Sequence, residues 1–251
     1  MNRSVKFNSD YLDYKDDILS LIENFSSSDA HTIKDNRNII KKFKLTNFEI
    51  NIKSFGVPPM FNAFIYSFFR LTKAHRSFDY GKKLLEAGIN TPTPICYCEY
   101  KNKGILSKSF YASKQLKFDF PISEVINNTN FPNRIEILND FVFFTFKLHE
   151  NGINFLDHSP GNTLVKLQNS KPTFYLIDLN RMNFEKMTFN RRIMNFRRLT
   201  NNKEVLKIIS REYAKLSNSD PDKTFNLMVK YSNQFLSRRS FRKKIKFFFV
   251  K

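Results

Sequence analysis

Apolar residues follow two different periods along this chain, and the change of period constrains the fold more than any other feature. Apolar and polar residues alternate in the segments 38–44 and 48–55, which predicts β-strands, and 95–100 with 104–111 is expected to form a second strand pair around 101–104. Segments with helical spacing are 16–24, 60–88, 132–151 and 189–251. We therefore predict an α+β fold of two lobes: an antiparallel-sheet N-lobe over 1–111 with one main helix, and a mainly helical C-lobe over 112–251.

The composition excludes several classes of protein. The chain is 41% hydrophobic and 26% charged, as in folded globular proteins. Its longest apolar candidate, 61–69, is too short to span a membrane and is interrupted by polar residues. Cys96 and Cys98 are too few for a disulfide scaffold or a zinc site. With acidic residues where an export signal would be apolar, the sequence predicts a cytoplasmic protein.

Positive charge is concentrated in the last quarter of the chain. The whole sequence has a net charge of +19, and the segment 191–251 holds 17 basic and 4 acidic residues. Such a segment favours a polyanionic partner, which the charge alone leaves open as nucleic acid, anionic lipid or a phosphorylated glycan.

Three polar residues stand in a pattern typical of phosphate transfer. Asp157 and Asn162 form D-x-x-x-x-N in a loop, two short strands over 163–167 and 173–177 follow, and Asp178 comes after the second strand. Protein-kinase-like phosphotransferases arrange their catalytic and metal-binding loops in this order. Asp157 would act beside the attacking hydroxyl, and Asn162 with Asp178 would supply oxygen ligands to Mg²⁺. An isolated Asp is more often a cap or turn residue, so the argument depends on the whole pattern.

A kinase-like site also needs a lysine on an N-lobe strand to hold the α- and β-phosphates of ATP. Lys53, at the end of the 48–55 strand, fits this role, although taken alone it reads as an exposed strand lysine. The expected acidic partner on the following helix is Asp79, with Glu86 as the alternative.

Two further segments are expected to contact the nucleotide. The loop that covers the phosphates should lie near residues 34–39, which contain no glycine, so Arg37 and the amides of Asn36 and Asn38 would replace a glycine-rich cradle. The adenine should contact the chain after the strand that begins near Ile105. The residues expected there are Ser109, Phe110, Tyr111 and Ala112.

These residues together resemble the lipopolysaccharide kinase (Kdo/WaaP) family over roughly residues 34–185. Four stretches carry the resemblance: Arg37-Asn38 with the next strand, Lys53-Ser-Phe-Gly56, the segment 70–95, and the segments 148–162 and 177–182. The resemblance implies a protein-kinase-like fold and phosphorylation of an inner-core lipopolysaccharide sugar, Kdo or heptose. It also implies ATP and Mg²⁺ as cofactors, at the inner face of the cytoplasmic membrane.

Two positions depart from the protein-kinase pattern. Phe155 stands two residues before Asp157, where protein kinases have His, and Leu179-Asn180 follows Asp178 in place of Phe-Gly. An activation-loop switch of the usual kind is therefore not expected. The chain after residue 190 is short and shows no peptide-docking motif, which favours a small or glycan acceptor over a protein.

For several charged or polar residues near the motif, the sequence leaves open whether the role is structural or functional. His149 is expected to support the loop by hydrogen bonding rather than to do chemistry, and His158 flanks the same site. Arg181 could bind an acceptor anion or pair with an acid. The basic residues of 60–79 could meet an anionic acceptor, although a solvated helix face is the default interpretation.

The last fourteen residues, 238–251, hold seven basic residues, four Phe and no acid. They could contact an anionic membrane, or Phe247–Phe249 could pack on the C-lobe. Other function classes also stay open: a kinase for a protein or small molecule, a catalytically inactive ATP-binding scaffold, and a basic nucleic-acid-binding protein. No nucleic-acid-binding motif is visible, so no nucleic acid partner is expected.

Overall fold

The computed structural model describes residues 2–35, 38–56, 64–67 and 70–249, without the side chains of 34, 35, 243 and 246–249. The chain divides into two compact units. The first comprises Met1–Lys117 and Asp178–Asn180, and the second comprises Phe118–Ile177 and Arg181–Lys251. The predicted lobe boundary between 111 and 112 falls inside a strand of the first unit, because that strand stays paired as far as Lys114.

The first unit is built on a six-stranded antiparallel sheet. Its strands are β1 (Asn2–Phe7), β2 (Thr32–Asp35), β3 (Asn38–Lys44), β4 (Glu49–Phe55), β5 (Pro94–Asn102) and β6 (Ile105–Lys114). They lie in the order β1-β5-β6-β4-β3-β2. The four predicted strands are confirmed, whereas β1 and β2 were not predicted. The pairing of β1 with β5 joins residues 89 to 99 positions apart, which no local pattern indicates.

Each face of this sheet packs against one helix. The residues of β4 alternate, so that Ile50 and Ile52 pack with Ile18 and Ile22 of α1 (Lys15–Glu23), while Phe55 packs on the opposite face. On that opposite face, Phe55 belongs to a core with residues of α2 (Lys73–Glu86), chiefly Ala74 and Phe78, and with Tyr97 and Tyr111. The period of two therefore places Lys53 on the α2 side of the sheet.

The predicted single helix over 60–88 is wrong in its first half. Residues 64–67 are helical, Arg70 lies in a bend, and α2 begins only at Lys73. Thr72 has extended backbone and its hydroxyl accepts a hydrogen bond from the His75 amide at 3.1 Å. This N-cap starts a new helix, since a threonine side chain satisfies an amide that has no partner within the helix.

The second unit is mainly helical. Its helices are α3 (Ile122–Asn127), α4 (Arg134–Glu150), α5 (Phe189–Asn195), α6 (Lys203–Leu216) and α7 (Pro221–Phe249). Its strands are β7 (Phe120–Pro121), β8 (Ile153–Phe155), β9 (Thr163–Gln168), β10 (Lys171–Leu176) and β11 (Met182–Phe184). Antiparallel pairing joins β7, β9 and β10 in one sheet, and β8 with β11 in another.

The turn between β9 and β10 is a tight hairpin. Asn169 and Ser170 have φ of 49° and 65°, the left-handed values of a two-residue type I′ turn. The predicted order of helix, loop, hairpin and Asp178 is thus confirmed within the chain, because β10 ends two residues before Asp178. Among the described residues, no helix is long and apolar enough to cross a membrane.

Candidate active site

Lys53 and Asp178 form an ion pair in the first unit. Lys53 Nζ donates to Asp178 Oδ1 at 2.7 Å, and Asn180 Nδ2 donates to the same oxygen at 2.8 Å. The lysine side chain is only 13% exposed, and its ammonium lies 5.1 Å from the centroid of the Phe55 ring. Lys53 is therefore a partly buried, partnered cation and not the solvated strand lysine that its position alone suggested.

The backbone at Asp178 is left-handed. Its φ is 59°, a conformation that costs free energy for most residues and that Asp adopts more readily than others. Such values in a non-glycine residue are concentrated at functional sites, where surrounding contacts hold them. Here the bend directs the carboxylate to Lys53 immediately after the chain leaves the β10 strand.

The predicted partner of Lys53 requires a correction. Asp79 pairs with His75 one helical turn earlier, with His75 Nε2 3.0 Å from Asp79 Oδ2, and Lys6 Nζ lies 3.9 Å from Asp79 Oδ1. Glu86, the alternative, is exposed in the last turn of α2. The acid that contacts Lys53 is instead Asp178, 125 residues further along the chain.

The residues predicted to contact adenine, 109–112, lie within β6 rather than after it. Tyr111, Phe110 and Ser109 are paired with Lys53, Ser54 and Phe55 of β4. Phe110 belongs to the core on the α1 side, so its side chain faces away from the α2 side of the sheet. Tyr111 is buried on the α2 side, and burial raises the pKa of its phenol. Since β6 continues to Lys114, the segment that follows the strand is 115–117.

The predicted phosphate-covering loop cannot be placed in full. Arg37 and Asn36 lie outside the described residues. Asn38 is the first residue of β3, and its Cα partner in β4 is Phe55. The roles given to these three residues stay predictions.

In the second unit, Asp157 is held by two arginines. Arg181 Nη1 donates to Asp157 Oδ1 at 3.2 Å, and Arg198 Nη1 makes a close contact with the same oxygen. The carboxylate side chain is 14% exposed, whereas that of Arg181 is 54% exposed. Arg181 therefore pairs with an acid, which was one of its two predicted roles. Arg198 was not singled out from the sequence, where nothing distinguishes it from other arginines of 191–251.

Asn162 is oriented by the loop that contains Asp157. The side-chain Nδ2 of Asn162 donates to the backbone carbonyl of Asp157 at 2.9 Å. The backbone carbonyl of Asn162 accepts a hydrogen bond from the Ile177 amide at 3.0 Å. Because the NH₂ group is used in this bond, Oδ1 is the atom of the amide that can serve as a ligand. Oxygen atoms from an amide and a carboxylate are the donor set that Mg²⁺ prefers, so the chemistry of Asn162 and Asp178 fits that ion.

A buried chain of hydrogen bonds lies behind the Asp157 loop. Asn195 Nδ2 donates to Asn154 Oδ1 at 2.9 Å and to the Phe155 carbonyl at 2.8 Å. Both amide hydrogens are thus used, so Asn195 Oδ1 must accept from His149 Nε2, 3.3 Å away. His149 Nδ1 is then an acceptor, and the Tyr213 hydroxyl donates to it at 2.7 Å. The chain runs in one direction, from Tyr213 to the strand that precedes Asp157.

Both histidines of this unit are neutral. Burial lowers the pKa of His149 to about 3 and the pKa of His158 to about 3. His149 therefore supports the loop by hydrogen bonding, as expected. Asn195 and Tyr213 were not predicted. The signal in the sequence was a polar Asn within the otherwise apolar run 193–196, and the structure shows that this Asn is buried.

The model of the lipopolysaccharide kinase (Kdo/WaaP) family matches residues 60–219. The chain belongs to this family. The resemblance seen in the sequence is confirmed, and the protein is a kinase of the lipopolysaccharide kinase family, a phosphotransferase that acts on a sugar hydroxyl. No curated protein matches the sequence.

Solved structures support the fold. The structure described as WaaP in complex with acyl carrier protein has a TM-score of 0.61 and 13% identity, and the match covers 93% of this chain and 98% of that chain. It confirms the predicted protein-kinase-like α+β fold. The Rio2 kinase–ADP/Mg²⁺–phosphoaspartate complex from Chaetomium thermophilum has a TM-score of 0.48 and 14% identity, covering 85% of this chain and 66% of that chain.

Proposed function

We propose that this kinase transfers the γ-phosphate of ATP to a hydroxyl of an inner-core lipopolysaccharide sugar, Kdo or heptose, with Mg²⁺ as cofactor. The observation that carries the proposal is the Lys53–Asp178 pair, in which the residue expected at the phosphates contacts the residue expected at the metal. The family membership supports the acceptor class. A protein or small-molecule acceptor is the alternative within the same chemistry.

Each site residue has one role in this proposal. Lys53 binds the α- and β-phosphates, and the adenine packs near the end of β6, beside Ser109 and Tyr111 on the α2 side of the sheet and the following segment 115–117. Asn162 and Asp178 hold Mg²⁺, which when bound neutralises charge on the phosphates. Asp157 accepts the proton of the acceptor hydroxyl while the oxygen of that hydroxyl forms a bond to the γ-phosphorus. The bond from the γ-phosphorus to the β–γ bridging oxygen breaks, and ADP leaves.

Transfer of labelled phosphate tests this function directly. The protein is incubated with ATP labelled at the γ-phosphate and Mg²⁺, with lipopolysaccharide precursors, a protein mixture and RNA supplied in separate reactions. Label is expected in the lipopolysaccharide precursors alone and should disappear when EDTA removes Mg²⁺. Label in the protein mixture would show that the acceptor is a protein rather than a sugar. Binding of RNA without any phosphate transfer would contradict the proposed function.

We also propose that the protein works at the inner face of the cytoplasmic membrane, through the end of α7. Phe241 and Ile245 are 64% and 39% exposed and lie one turn apart on the helix, and Arg238 and Arg242 are exposed beside them. An apolar stripe with flanking basic residues suits an anionic bilayer, to which each basic residue contributes about 1 kcal/mol. The side chains of Phe247–Phe249 lie outside the described residues, so their packing on the C-lobe stays an alternative.

Truncation after Ser237 tests the membrane contact. The shortened chain should remain folded, bind anionic vesicles less at low salt, and lose activity on a membrane-bound acceptor more than on a soluble one. The double change Lys223→Gln and Lys230→Gln, which removes exposed charge near the start of the same helix, serves as the control and should preserve vesicle binding. Equal vesicle binding by full-length and truncated chains would exclude the contact, and unfolding on truncation would favour packing.

A further inference from the structure

Arginines outnumber acids around Asp157. Arg181 and Arg198 contact its carboxylate, and Arg197 lies close enough for its charge to interact with all three groups. Burial lowers the pKa of Arg197, and the positive charges of Arg198, Arg181 and Arg238 lower it further, whereas Asp157 acts in the opposite sense. One carboxylate thus contacts two guanidinium groups with a third close by. We call Arg181, Arg197 and Arg198 the arginine cluster, and their mutual repulsion favours an added anion.

The protein itself fixes the positions of two of these groups. Arg198 Nη1 lies 3.4 Å from the Leu156 carbonyl, and its guanidinium lies 5.5 Å from the centroid of the Phe235 ring. Arg197 Nη1 donates to the Met194 carbonyl at 3.0 Å. Such contacts reduce the side-chain entropy that a ligand would have to remove on binding. The cluster is therefore arranged before any ligand arrives.

The cluster is open to solutes on the side of the arginines. The side chains of Arg181 and Arg198 are 54% and 28% exposed, while that of Asp157 is 14% exposed. A dissolved anion can therefore reach the guanidinium groups without first displacing the carboxylate. The planar fork of arginine binds two oxygens at once, a geometry that matches a carboxylate or a phosphate.

We propose that the arginine cluster is a binding subsite for an anionic group, a carboxylate or a phosphate, on the sugar that accepts the phosphoryl group. This inference rests on the proposed function and deepens it, because it names the acceptor as an acidic sugar. The anionic group competes with Asp157 for Arg181 and Arg198.

The prediction concerns discrimination between acceptors rather than activity alone. A neutral acceptor leaves the two arginines on Asp157, so it should bind more weakly and react more slowly than the acidic form of the same sugar. Loss of cluster arginines should therefore reduce the advantage of the acidic form. A purely structural role for these arginines would lower turnover of both forms by the same factor.

The test compares wild type with the double variant Arg181→Gln/Arg197→Gln. The control is Arg191→Gln, an exposed arginine that pairs with Glu185 at 3.0 Å and belongs to a different ion pair. Each protein is assayed with one Kdo-bearing lipopolysaccharide precursor in three forms: untreated, methyl-esterified at its carboxylates, and enzymatically dephosphorylated. The last two forms distinguish a carboxylate from a phosphate as the bound group. Thermal melting confirms that each variant is folded.

For wild type we expect about a tenfold or larger fall in kcat/KM on removal of the anionic group that the cluster binds. The double variant should lose about the same factor on the untreated acceptor, mainly through KM, and should show little further loss on the modified forms. The control should behave as wild type. Equal loss by the double variant on all three forms, or no effect of either modification on wild type, would overturn the subsite.

A binding measurement separates this inference from the proposed function. Isothermal titration with free Kdo and with its methyl ester requires no phosphate transfer, so it reports on carboxylate binding even if the assay shows no kinase activity. Tighter binding of the acid by wild type than by the double variant would support the subsite independently. Equal binding of acid and ester by both proteins would overturn a carboxylate subsite. If wild type in addition transfers no phosphate, the proposed function fails on its own.

Discussion

Asp178 and Asp157 carry the same carboxylate in different electrostatic surroundings. Asp178 has one close cation, Lys53, and a neutral amide from Asn180. Asp157 has two close arginines, and further positive charge lies behind them. In the proposed mechanism Lys53 binds a phosphate and Asp178 binds the metal ion. The excess of arginines around Asp157 instead suits the binding of an anionic group.

The largest expected effects come from removing each carboxylate. Asp178→Asn and Asp157→Ala should each lower kcat by about 10³-fold or more, because one loses metal binding and the other the proton acceptor. The two variants should differ in nucleotide binding. Asp178→Asn should lose the part of the ATP affinity that depends on Mg²⁺, whereas Asp157→Ala should bind ATP nearly as wild type does. Titration with a fluorescent ATP analogue, with and without Mg²⁺, distinguishes them. Near wild-type turnover of either variant would remove that residue from the site.

Removal of the lysine tests the Asp178 side of the comparison. Lys53→Met should reduce transfer by about 10²-fold or more, since a positioned charge at the phosphates is lost. Lys44→Met, an exposed residue of β3, is the matched control and should leave the rate within about twofold. If both variants retain activity within a few-fold, Lys53 does not bind the phosphates and the nucleotide lies elsewhere in the first unit.

A smaller effect is expected from the hydrogen-bond chain that supports the Asp157 side. Asn195→Ala removes the amide that donates to Asn154 Oδ1 and to the Phe155 carbonyl, and it leaves the buried His149 Nε2 without its acceptor. This loss should cost about 1–3 kcal/mol of unfolding free energy. The strand before Asp157 is then less well positioned, so kcat should fall by about tenfold while the KM for ATP is unchanged. Tyr213→Phe removes one donor and should show a weaker version of both effects. A variant with lower stability but unchanged kcat would make Asn195 purely structural.

The smallest effect distinguishes the two units by pH. His149 and His158 of the second unit are buried, with pKa values of about 3 against an ordinary value of 6.5, whereas His31 of the first unit is exposed. In the unfolded chain each of these histidines is protonated below about pH 6.5, whereas in the folded protein each stays neutral down to about pH 3. Stability is therefore complete above pH 6.5 and falls with acidification, by up to about 1.4 kcal/mol per pH unit for each histidine.

Denaturant unfolding at pH 7 and pH 5 measures this dependence. His158→Gln should show a shallower loss of stability between the two pH values than wild type, whatever its stability at pH 7. His31→Gln should retain the wild-type slope. Identical slopes for all three proteins would show that burial of His158 does not control the acid response.

Local patterns determined a large part of this protein from its sequence. Alternation over 38–44 and 48–55 predicted β3 and β4, because side chains of a strand alternate between two faces wherever the strand lies. The spacing of Asp157, Asn162 and Asp178 predicted a kinase, because the order of loop, hairpin and strand end is set by the chain itself. The family match and the fold comparison confirmed these inferences.

Only the tertiary structure decided which partners the functional residues have. Lys53 pairs with Asp178 rather than Asp79, Asp157 meets Arg198, and Asn195 holds the Phe155 carbonyl, each across 40 or more positions of the chain. Such pairings depend on which element packs against which, and no local period or spacing encodes that. The helix predicted over 60–88 was interrupted for a different reason, because the Thr72 cap competes locally with helix continuation. The sequence by itself therefore determined the elements and the reaction class, while packing between distant segments determined the ion pairs and hydrogen bonds.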